Sequence, residues 1–182
     1  GVTCVQLREK SAPARDFVAT ARRLLAVTRP AGVPLIINDR VDVMLAAGAD
    51  GVHLGQDDLP AADARRILGR GPILGVTAAT PEQARQAAAD GADYIGTSGV
   101  FETPTKSDVA IHTGLDGLRE LCAASALPVV AIGGVDASNA GDMIRAGAAG
   151  VAVVRAIMAA DDPEAAARQL RQVVERARSA ER

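Results

Sequence analysis

Short apolar runs alternate with longer segments of helical periodicity along the chain. Apolar runs of four or five residues are typical of parallel strands covered on both faces, and apolar residues three or four apart predict amphipathic helices. The pattern predicts seven strands, at Thr3–Leu7, Pro34–Ile37, Gly51–Leu54, Ile73–Val76, Tyr94–Thr97, Val129–Ile132 and Val151–Val154. It predicts seven helices, at Ala14–Val27, Arg40–Ala47, Pro60–Leu68, Pro81–Asp90, Leu115–Ala123, Ala137–Ala146 and Pro163–Arg178.

Local signals support these strand-then-helix units. Segments 47–52, 90–95 and 146–151 follow one plan, in which a helix ends, a glycine takes the left-handed position and a buried strand begins. Thr80 precedes a proline, with Gln83 in the capping-box position, and Asp162 precedes a proline in the same way. Both are expected to begin helices.

Alternating strands and helices with short links predict a parallel sheet with right-handed crossovers. We expect a (β/α)8 TIM barrel with seven of its eight units visible, and an open doubly wound sheet is the alternative. No Gly-x-Gly-x-x-Gly follows the first strand, which disfavours a dinucleotide fold. Because the chain starts at Gly1 close to a strand, we expect residues 1–182 to be a single barrel domain that is truncated at its N-terminus.

Composition narrows the class of protein. Of the 182 residues, 48% are hydrophobic and only 2% are aromatic, and the net charge is -2, which does not favour a nucleic-acid surface. No apolar run reaches the roughly 20 residues that a membrane helix needs. Cys4 and Cys122 lack metal-ligand spacing, and we expect both to be reduced and buried.

The first strand carries its polar groups on one face. Since side chains alternate between faces, Val5 and Leu7 point to the apolar layer, and Gln6, Arg8 and Lys10 point to the opposite side. Two cations and an amide at a strand's carboxyl end favour phosphate or diphosphate, because a guanidinium matches phosphate oxygens. The alternative is a solvated strand end.

Carboxylates follow the next two strands. Asp39 follows the second strand and Asp58 the third, so both are expected at the edge where chemistry occurs in barrels of this kind. Mg²⁺ is favoured there, because it binds through one or two carboxylates plus water and phosphate oxygens. Alternatively, each aspartate is a helix N-cap, since each precedes a helical pattern.

Other strand ends carry weaker signals. His53 lies inside a strand, where we expect a packed, hydrogen-bonded side chain rather than a catalyst. Thr77 follows the fourth strand, where it either contacts a ligand or merely ends the strand.

Three later loops suit phosphate. Residues 98–108 form the longest loop, and its threonines and Lys106 suit a phosphate, unless the loop is a mobile lid with incidental polarity. Gly133 and Gly134 follow the sixth strand, and Arg155 follows the seventh. Paired glycines let backbone N–H groups approach phosphate, and barrel phosphate sites often use the last two such loops. A simple tight turn is the alternative at the glycines.

Taken in order, these stretches resemble the thiamine phosphate synthase family, also called thiamine phosphate pyrophosphorylase. The resemblance covers essentially the whole chain. It rests on VQLREK at Val5–Lys10, INDR at Ile37–Arg40, GVHLGQDD at Gly51–Asp58, GVT at Gly75–Thr77, YIG at Tyr94–Gly96, Phe101–Asp108, and AIGGV at Ala131–Val135.

The resemblance implies a (β/α)8 barrel enzyme, a transferase of thiamine biosynthesis. It would couple 4-amino-5-hydroxymethyl-2-methylpyrimidine diphosphate to thiazole phosphate and release diphosphate. Mg²⁺ is the implied cofactor, with Asp39 and Asp58 as its ligands. The implied partners are small phosphorylated substrates in the cytoplasm, with no nucleic acid and no membrane, and a homodimer is left open.

The same resemblance implies roles for individual residues. The diphosphate would be held by Gln6, Arg8, Lys10 and Lys106. The pyrimidine would be contacted by Asn38 and Thr77. The thiazole phosphate would be held by Thr103, Pro104, Thr105, Gly134 and the backbone of Val154 and Arg155. The catalytic groups would be Arg8, Lys106 and Thr77.

The chain departs from the family pattern at several positions. Thr77 stands where serine is commoner, Ala79 where histidine is frequent, and Ser98-Gly99 where Gly-Pro is usual. Glu102 replaces a common proline, and Arg155 often appears as serine.

Three other functions compete with this interpretation. A thiazole tautomerase-like relative would need neither the diphosphate cations nor the carboxylates. A sugar-phosphate isomerase or epimerase would need an acid/base pair, which the sequence does not offer. A non-catalytic phosphate- or thiamine-binding fragment is kept open by the apparent lack of a first unit.

Overall fold

The structure is a computed structural model that describes residues 1–101 and 113–180. The strands within those residues are β1 (Val5–Leu7), β2 (Leu35–Asn38), β3 (Gly51–Leu54), β4 (Ile73–Ala78), β5 (Tyr94–Thr97), β6 (Val129–Ile132) and β7 (Gly150–Ala152). The helices there are α1 (Ala14–Thr28), α2 (Val41–Ala47), α3 (Ala61–Leu68), α4 (Pro81–Ala89), α5 (Gly114–Ala124), α6 (Ala140–Arg145), α7 (Arg155–Met158) and α8 (Pro163–Ala180).

All seven predicted strands are present: three have the predicted ends, and the ends of the other four shift by one or two residues. The prediction of a strand at Val151–Val154 is wrong at its carboxyl end, because β7 ends at Ala152 and Val154 already precedes α7. Helix α7 itself was not predicted. Its four residues make barely one turn, which is too short to show helical periodicity.

Both predicted helix caps are confirmed. The Thr80 hydroxyl accepts the N–H of Gln83 at 3.3 Å, and the Gln83 side chain accepts the N–H of Ala79 at 2.7 Å. The Asp162 carboxylate accepts the N–H of Ala165 at 3.0 Å. These bonds satisfy N–H groups that have no partner within the first turn of a helix.

Helix α6 is shorter than predicted. Asp136 accepts the N–H and the hydroxyl of Ser138 at 2.8 and 2.6 Å, and Asn139 accepts the N–H of Asp136 at 2.9 Å. Short polar side chains that bond to nearby backbone in this way favour turns over helix. The helix therefore begins at Ala140 rather than at Ala137.

The chain divides into two compact units, and the first comprises residues 2–77 and 89–93. Strands β1, β2, β3 and β4, the last up to Thr77, pair in parallel in that order. Asn38 is the register partner of His53, which is in turn the partner of Gly75. Strands β2 and β3 are buried along their whole length, and helices α1 and α2 pack against β2.

The second unit comprises Gly1, residues 78–88 and the described part of residues 94–182. Strands β5, β6 and β7 pair in parallel in that order. Helix α8 packs against α6 and α7, and it buries one apolar stripe that includes Ala167, Leu170 and Ala177. The spacing of these residues matches the helical repeat from which α8 was predicted.

The repeated glycine turns are confirmed. All three glycines have a positive φ: Gly48, Gly91 and Gly147. In the first unit, the aspartate two residues after the glycine hydrogen-bonds to the preceding strand through both its carboxylate and its backbone N–H. Asp50 bonds to both N–H and C=O of Leu35, at 2.8 and 3.0 Å, and Asp93 does the same to Leu74, at 2.7 Å each. Each helix end is thereby tied to the start of the preceding strand.

The described residues form a parallel α/β fold, as predicted. Strand order follows the sequence within each unit, whereas an open doubly wound sheet reverses its order at a switch point. An eighth strand, closure into a barrel and the single-domain assignment of residues 1–182 stay predictions.

No helix in residues 1–101 and 113–180 is long and apolar enough to cross a membrane. Cys4 and Cys122 are both free. The expectation that both are buried is wrong, because Cys4 is exposed and Cys122 is half-buried.

Candidate active site

Strand β1 presents alternating side chains, as predicted. Val5 and Leu7 are half-buried, whereas Gln6, Arg8 and Lys10 are exposed. The alternation leaves the amide and both cations on the more open side, where an anion can reach them.

The loop after β1 is folded by Glu9. Its carboxylate accepts the N–H groups of Ser11 and Ala12 at 2.7 and 3.1 Å, and these bonds hold the pKa of Glu9 below its ordinary value. Lys10 then reaches the end of β2, where its Nζ lies 2.5 Å from Oδ2 of Asp39. The structure therefore brings together two residues that are 29 positions apart in sequence.

Asp39 sits in a strained turn. Its φ is 65°, and it is the one non-glycine with positive φ among the residues that the structure describes. The N–H of Arg40 bonds back to the C=O of Asn38 at 2.8 Å, and the N–H of Asp39 bonds to the C=O of His53 at 2.8 Å. Such strain costs on the order of 1–3 kcal/mol and is commonest at functional sites.

Asp58 closes a second turn, after β3. Its carboxylate accepts the N–H of Gly55 at 2.7 Å. The N-cap alternative is wrong for both aspartates, because Arg40 precedes α2, Pro60 precedes α3, and neither helix start has a side-chain cap. Neither carboxyl group therefore caps a helix.

The two carboxyl groups are hydrogen-bonded to each other and have opposite pKa shifts. Burial raises the pKa of Asp39, but hydrogen bonds from Lys10 and Asp58 and the charges of Lys10 and Arg8 bring it below its ordinary value. Burial raises the pKa of Asp58, and the neighbouring Asp39 raises it further. Two carboxylates this close repel when both are ionised, so the pair favours a proton or a cation.

This pair fits a divalent cation of the Mg²⁺ kind. Both side chains supply hard oxygen donors, and Mg²⁺ is usually bound through one or two carboxylates while phosphate oxygens and water complete its shell. Over the described ranges 1–101 and 113–180, no group of three or more His, Cys, Asp or Glu side chains could hold a metal. Asp39 and Asp58 supply the one or two carboxylates through which such a cation is usually bound.

Thr77 lies beside a buried histidine. The Thr77 hydroxyl is 2.9 Å from Nε2 of His53, and the Gln56 side chain donates to the Thr77 C=O at 2.5 Å. Asn38, the register partner of His53, is also buried. The expectation of a packed, hydrogen-bonded His53 is confirmed.

In the second unit, the segment after β5 packs on a glycine. Val100 and Phe101 donate backbone N–H groups to Ile132 and Gly133 at 2.8 and 3.2 Å. Gly133 has a φ of 99°, and a Cβ there would lie 2.9 Å from Cα of Gly99. Only glycine fits this contact, because both its φ and the close approach exclude a side chain.

Gly134 is exposed and also has a positive φ, and its C=O accepts the Asn139 amide at 2.8 Å. Val154 and Arg155, both exposed, lie where α7 begins. In the described part of the second unit, the residues predicted to bind the thiazole phosphate thus follow the carboxyl ends of β6 and β7. The remaining predicted residues lie outside the described residues: Thr103, Pro104, Thr105 and Lys106.

The sequence interpretation left Gln56 without a role and treated His53 only as packing. The signal that could have found His53 is strand register, since it lies level with Asn38 on the neighbouring strand. Gln56 contacts Thr77 across 21 positions in sequence, and no local pattern reveals such a contact.

Comparisons with known proteins agree on one family. The family described as "Thiamine monophosphate synthase" matches residues 1–157. A thiamine-phosphate synthase of Chloroflexus aurantiacus is 56% identical over 96% of this chain and 80% of its own length. Another, of Moorella thermoacetica, is 52% identical over 98% of this chain and 85% of its own.

A solved structure gives the same answer. Thiamine phosphate pyrophosphorylase from Pyrococcus furiosus superposes with a TM-score of 0.90 at 39% identity, over 97% of this chain and 85% of that one. Sequence and fold therefore point to the same relatives.

Proposed function

Because this chain belongs to the thiamine monophosphate synthase family, we propose that the carboxyl ends of β1–β4 bind a pyrimidine diphosphate together with Mg²⁺. The chain is an enzyme of thiamine biosynthesis, a transferase with the activity of a thiamine-phosphate synthase. It couples 4-amino-5-hydroxymethyl-2-methylpyrimidine diphosphate to thiazole phosphate, and the products are thiamine phosphate and diphosphate.

One observation carries the proposal for the diphosphate. Lys10 and the pair Asp39 and Asp58 converge although they follow three different strands, and the charge of Arg8 also acts on Asp39. A site that holds both cations and carboxylates suits a ligand that is itself an anion bound to a metal ion. A bare anion would account for the cations but not for the carboxylates, and a bare metal ion would account for the carboxylates but not for the cations.

Each predicted residue keeps a distinct role in the proposal. Gln6, Arg8, Lys10 and Lys106 hold the diphosphate. Asn38 and Thr77 contact the pyrimidine. Thr103, Pro104, Thr105, Gly134 and the backbone of Val154 and Arg155 hold the thiazole phosphate. Asp39 and Asp58 hold Mg²⁺, and Arg8, Lys106 and Thr77 are the catalytic groups.

The chemistry needs charge stabilisation rather than a general base. The bond between the pyrimidine methylene carbon and the diphosphate oxygen breaks, and its electron pair leaves with diphosphate. The aminopyrimidine stabilises the methylene cation, and the thiazole nitrogen supplies the electron pair of the new C–N bond. No proton is removed in either step.

Arg8 and Lys10 would stabilise the charge that grows on the leaving oxygen, and such preorganised donors are often the largest single contribution to catalysis. Bound Mg²⁺ would neutralise further charge on the diphosphate. Asn38 and Thr77 would hold the pyrimidine so that the methylene faces its acceptor, since orientation alone lowers the barrier substantially.

The test is turnover with both substrates, before and after chelation, in matched variants. Asp58→Asn removes one carboxylate of the pair, and we expect turnover to fall about 100- to 1,000-fold, as for the loss of a transition-state contact. Asp57→Asn changes the exposed neighbouring residue and should leave turnover within about twofold, as for surface substitutions in general. Activity in chelated protein should vanish and return with Mg²⁺.

Two results would contradict the proposal. Full turnover of metal-free protein would remove the metal assignment. Equal loss in both variants would mean that the turn after β3, rather than the Asp58 carboxylate, is what matters.

A further inference from the structure

We propose that His53 is a positioning residue, which acts on the reaction through the hydroxyl of Thr77. The inference rests on the proposed contact between Thr77 and the pyrimidine. His53 is a titratable side chain that the diphosphate chemistry does not use, yet it is bonded to Thr77 and to Asp39, two residues of the proposed site.

Geometry ties His53 to Thr77. His53 is only 9% exposed, and its Nε2 lies 2.9 Å from the Thr77 hydroxyl oxygen. A free hydroxyl rotates about its C–O bond and offers one donor and two acceptor positions. A bond to the fixed imidazole takes one of these positions, so the hydroxyl presents the rest in a set direction.

The backbone of Thr77 is held as well. The Gln56 amide donates to the Thr77 C=O at 2.5 Å, so side chain and main chain are restrained by two different residues. Thr77 itself is half-buried, which leaves part of it open to a ligand. Thr77 is the second-last residue of β4 rather than the residue that follows the strand, and its place in the strand alone does not require both restraints.

His53 also links the pyrimidine contacts to the carboxylate turn. Its C=O accepts the N–H of Asp39 at 2.8 Å, and its register partner is Asn38, the other proposed pyrimidine contact. Gly75, its partner on β4, contributes no side chain to the same level. His53 therefore connects to Asp39 through its backbone and to Thr77 through its side chain.

The test compares two amide side chains of different length at position 53. In His53→Gln the amide nitrogen takes the place of Nε2, whereas in His53→Asn it is too short to reach the Thr77 hydroxyl. Both substitutions place a primary amide at the same buried position. A general disturbance of the core should therefore affect the two variants alike. We expect His53→Asn to lower kcat/KM for the pyrimidine diphosphate about 10- to 100-fold, as misplacement of about 1 Å does.

His53→Gln should recover most of that loss, and KM for thiazole phosphate should stay unchanged in both variants. Thr77→Val should lose at least as much as His53→Asn, because it removes the hydroxyl that contacts the pyrimidine as well as its bond to His53. The double variant should lose no more than Thr77→Val alone, since no interaction is left for His53 to support. Thr28→Val deletes a buried hydroxyl that has no hydrogen-bond partner within the described chain, and it should leave turnover unchanged.

The possible outcomes separate the two ideas. If Thr77→Val is impaired while His53→Asn and His53→Gln behave alike, or if the two losses multiply in the double variant, the positioning role is overturned and the pyrimidine contact stands. Normal turnover in Thr77→Val would contradict the proposed pyrimidine contact of Thr77, and with it the role of His53 that depends on this contact. Thermal midpoints of all variants show whether any loss reflects unfolding.

Discussion

At the scale of single residues, the carboxylate of Asp39 has two competing cations. Lys10 lies 2.5 Å from it, with the Lys10 side chain 54% exposed and that of Asp39 16% exposed. The same lysine is proposed to hold the diphosphate, and the same aspartate is proposed to hold Mg²⁺. In the proposal, Mg²⁺ therefore competes with Lys10 for Asp39.

Lys10→Met is expected to move two binding constants in opposite directions. Binding of Mg²⁺ alone should become tighter by about two- to fivefold, since an ion pair with a largely exposed lysine is worth about 0.5–1 kcal/mol. Binding of diphosphate with Mg²⁺ should weaken by about 10- to 100-fold, as for a lost charged hydrogen bond. Calorimetric titration of each ligand measures both.

Arg70→Met serves as the control, because it removes an exposed positive charge from the same unit. If both variants change metal binding equally, net charge rather than the ion pair with Asp39 is responsible. Weaker metal binding in Lys10→Met would show that Lys10 assists the metal instead of competing with it.

At the scale of elements, Arg65 connects the end of α3 to the start of β4. Its guanidinium donates to the C=O groups of Gly69, Pro72 and Gly91 at 2.8–2.9 Å and pairs with Asp93 at 2.6 Å. Asp93 in turn holds the N–H of Leu74. These contacts lie at the amino end of β4, whereas the proposed chemistry lies at the carboxyl end of that strand.

Arg65→Met should destabilise the protein without affecting catalysis. The Arg65 side chain is only 17% exposed, and losing its charged bonds should cost about 2–3 kcal/mol. For a chain of this size that lowers the thermal midpoint by about 4–12 °C. Turnover below the midpoint should match the parent protein, as a thermal scan and a rate assay can establish.

Arg66→Met is the matched control. Arg66 is 78% exposed and pairs with Asp63 on its own helix, so its loss should move the midpoint by little. A similar shift in both variants would assign the effect to helix α3 itself rather than to the contacts of Arg65.

At the scale of the whole molecule, several carboxyl groups have a pKa below their ordinary value. Within the described residues these are Glu9, Asp39, Asp42, Glu82 and Asp136. Hydrogen bonds from nearby side chains or backbone lower each pKa. Asp58 is the opposite case, because burial and Asp39 raise its pKa.

These shifts predict how stability depends on pH. A carboxyl group with a lowered pKa binds fewer protons when folded than when unfolded, so its stabilisation is present above the ordinary values of 3.8 for Asp and 4.5 for Glu. It is lost as pH falls through the folded pKa. The thermal midpoint should therefore stay level above about pH 5 and fall steadily below about pH 4.5.

Asp58 contributes with the opposite sign. Its raised pKa means that ionisation at neutral pH costs stability, so Asp58→Asn should raise the metal-free midpoint at pH 7 even as it lowers turnover. Asp57→Asn, at the exposed neighbour, should leave the midpoint unchanged. A lower midpoint for Asp58→Asn would mean that its bond to Gly55, rather than repulsion from Asp39, dominates.

The sequence by itself determined the elements and the family. Apolar runs, the glycine turns and the caps at Thr80 and Asp162 are local signals, because each depends on residues within a few positions of one another. Seven strands were located from them. The homodimer and the cytoplasmic location stay predictions.

Only the tertiary structure decided what the polar residues contact. The ion pair of Lys10 with Asp39 and the bond of His53 to Thr77 join residues 24–29 positions apart. Asp58 could be read as a helix cap or as a ligand, and the turn with Gly55 decides against the cap. Such contacts arise from the register of parallel strands, which brings distant segments to one level and leaves no periodic trace in the sequence.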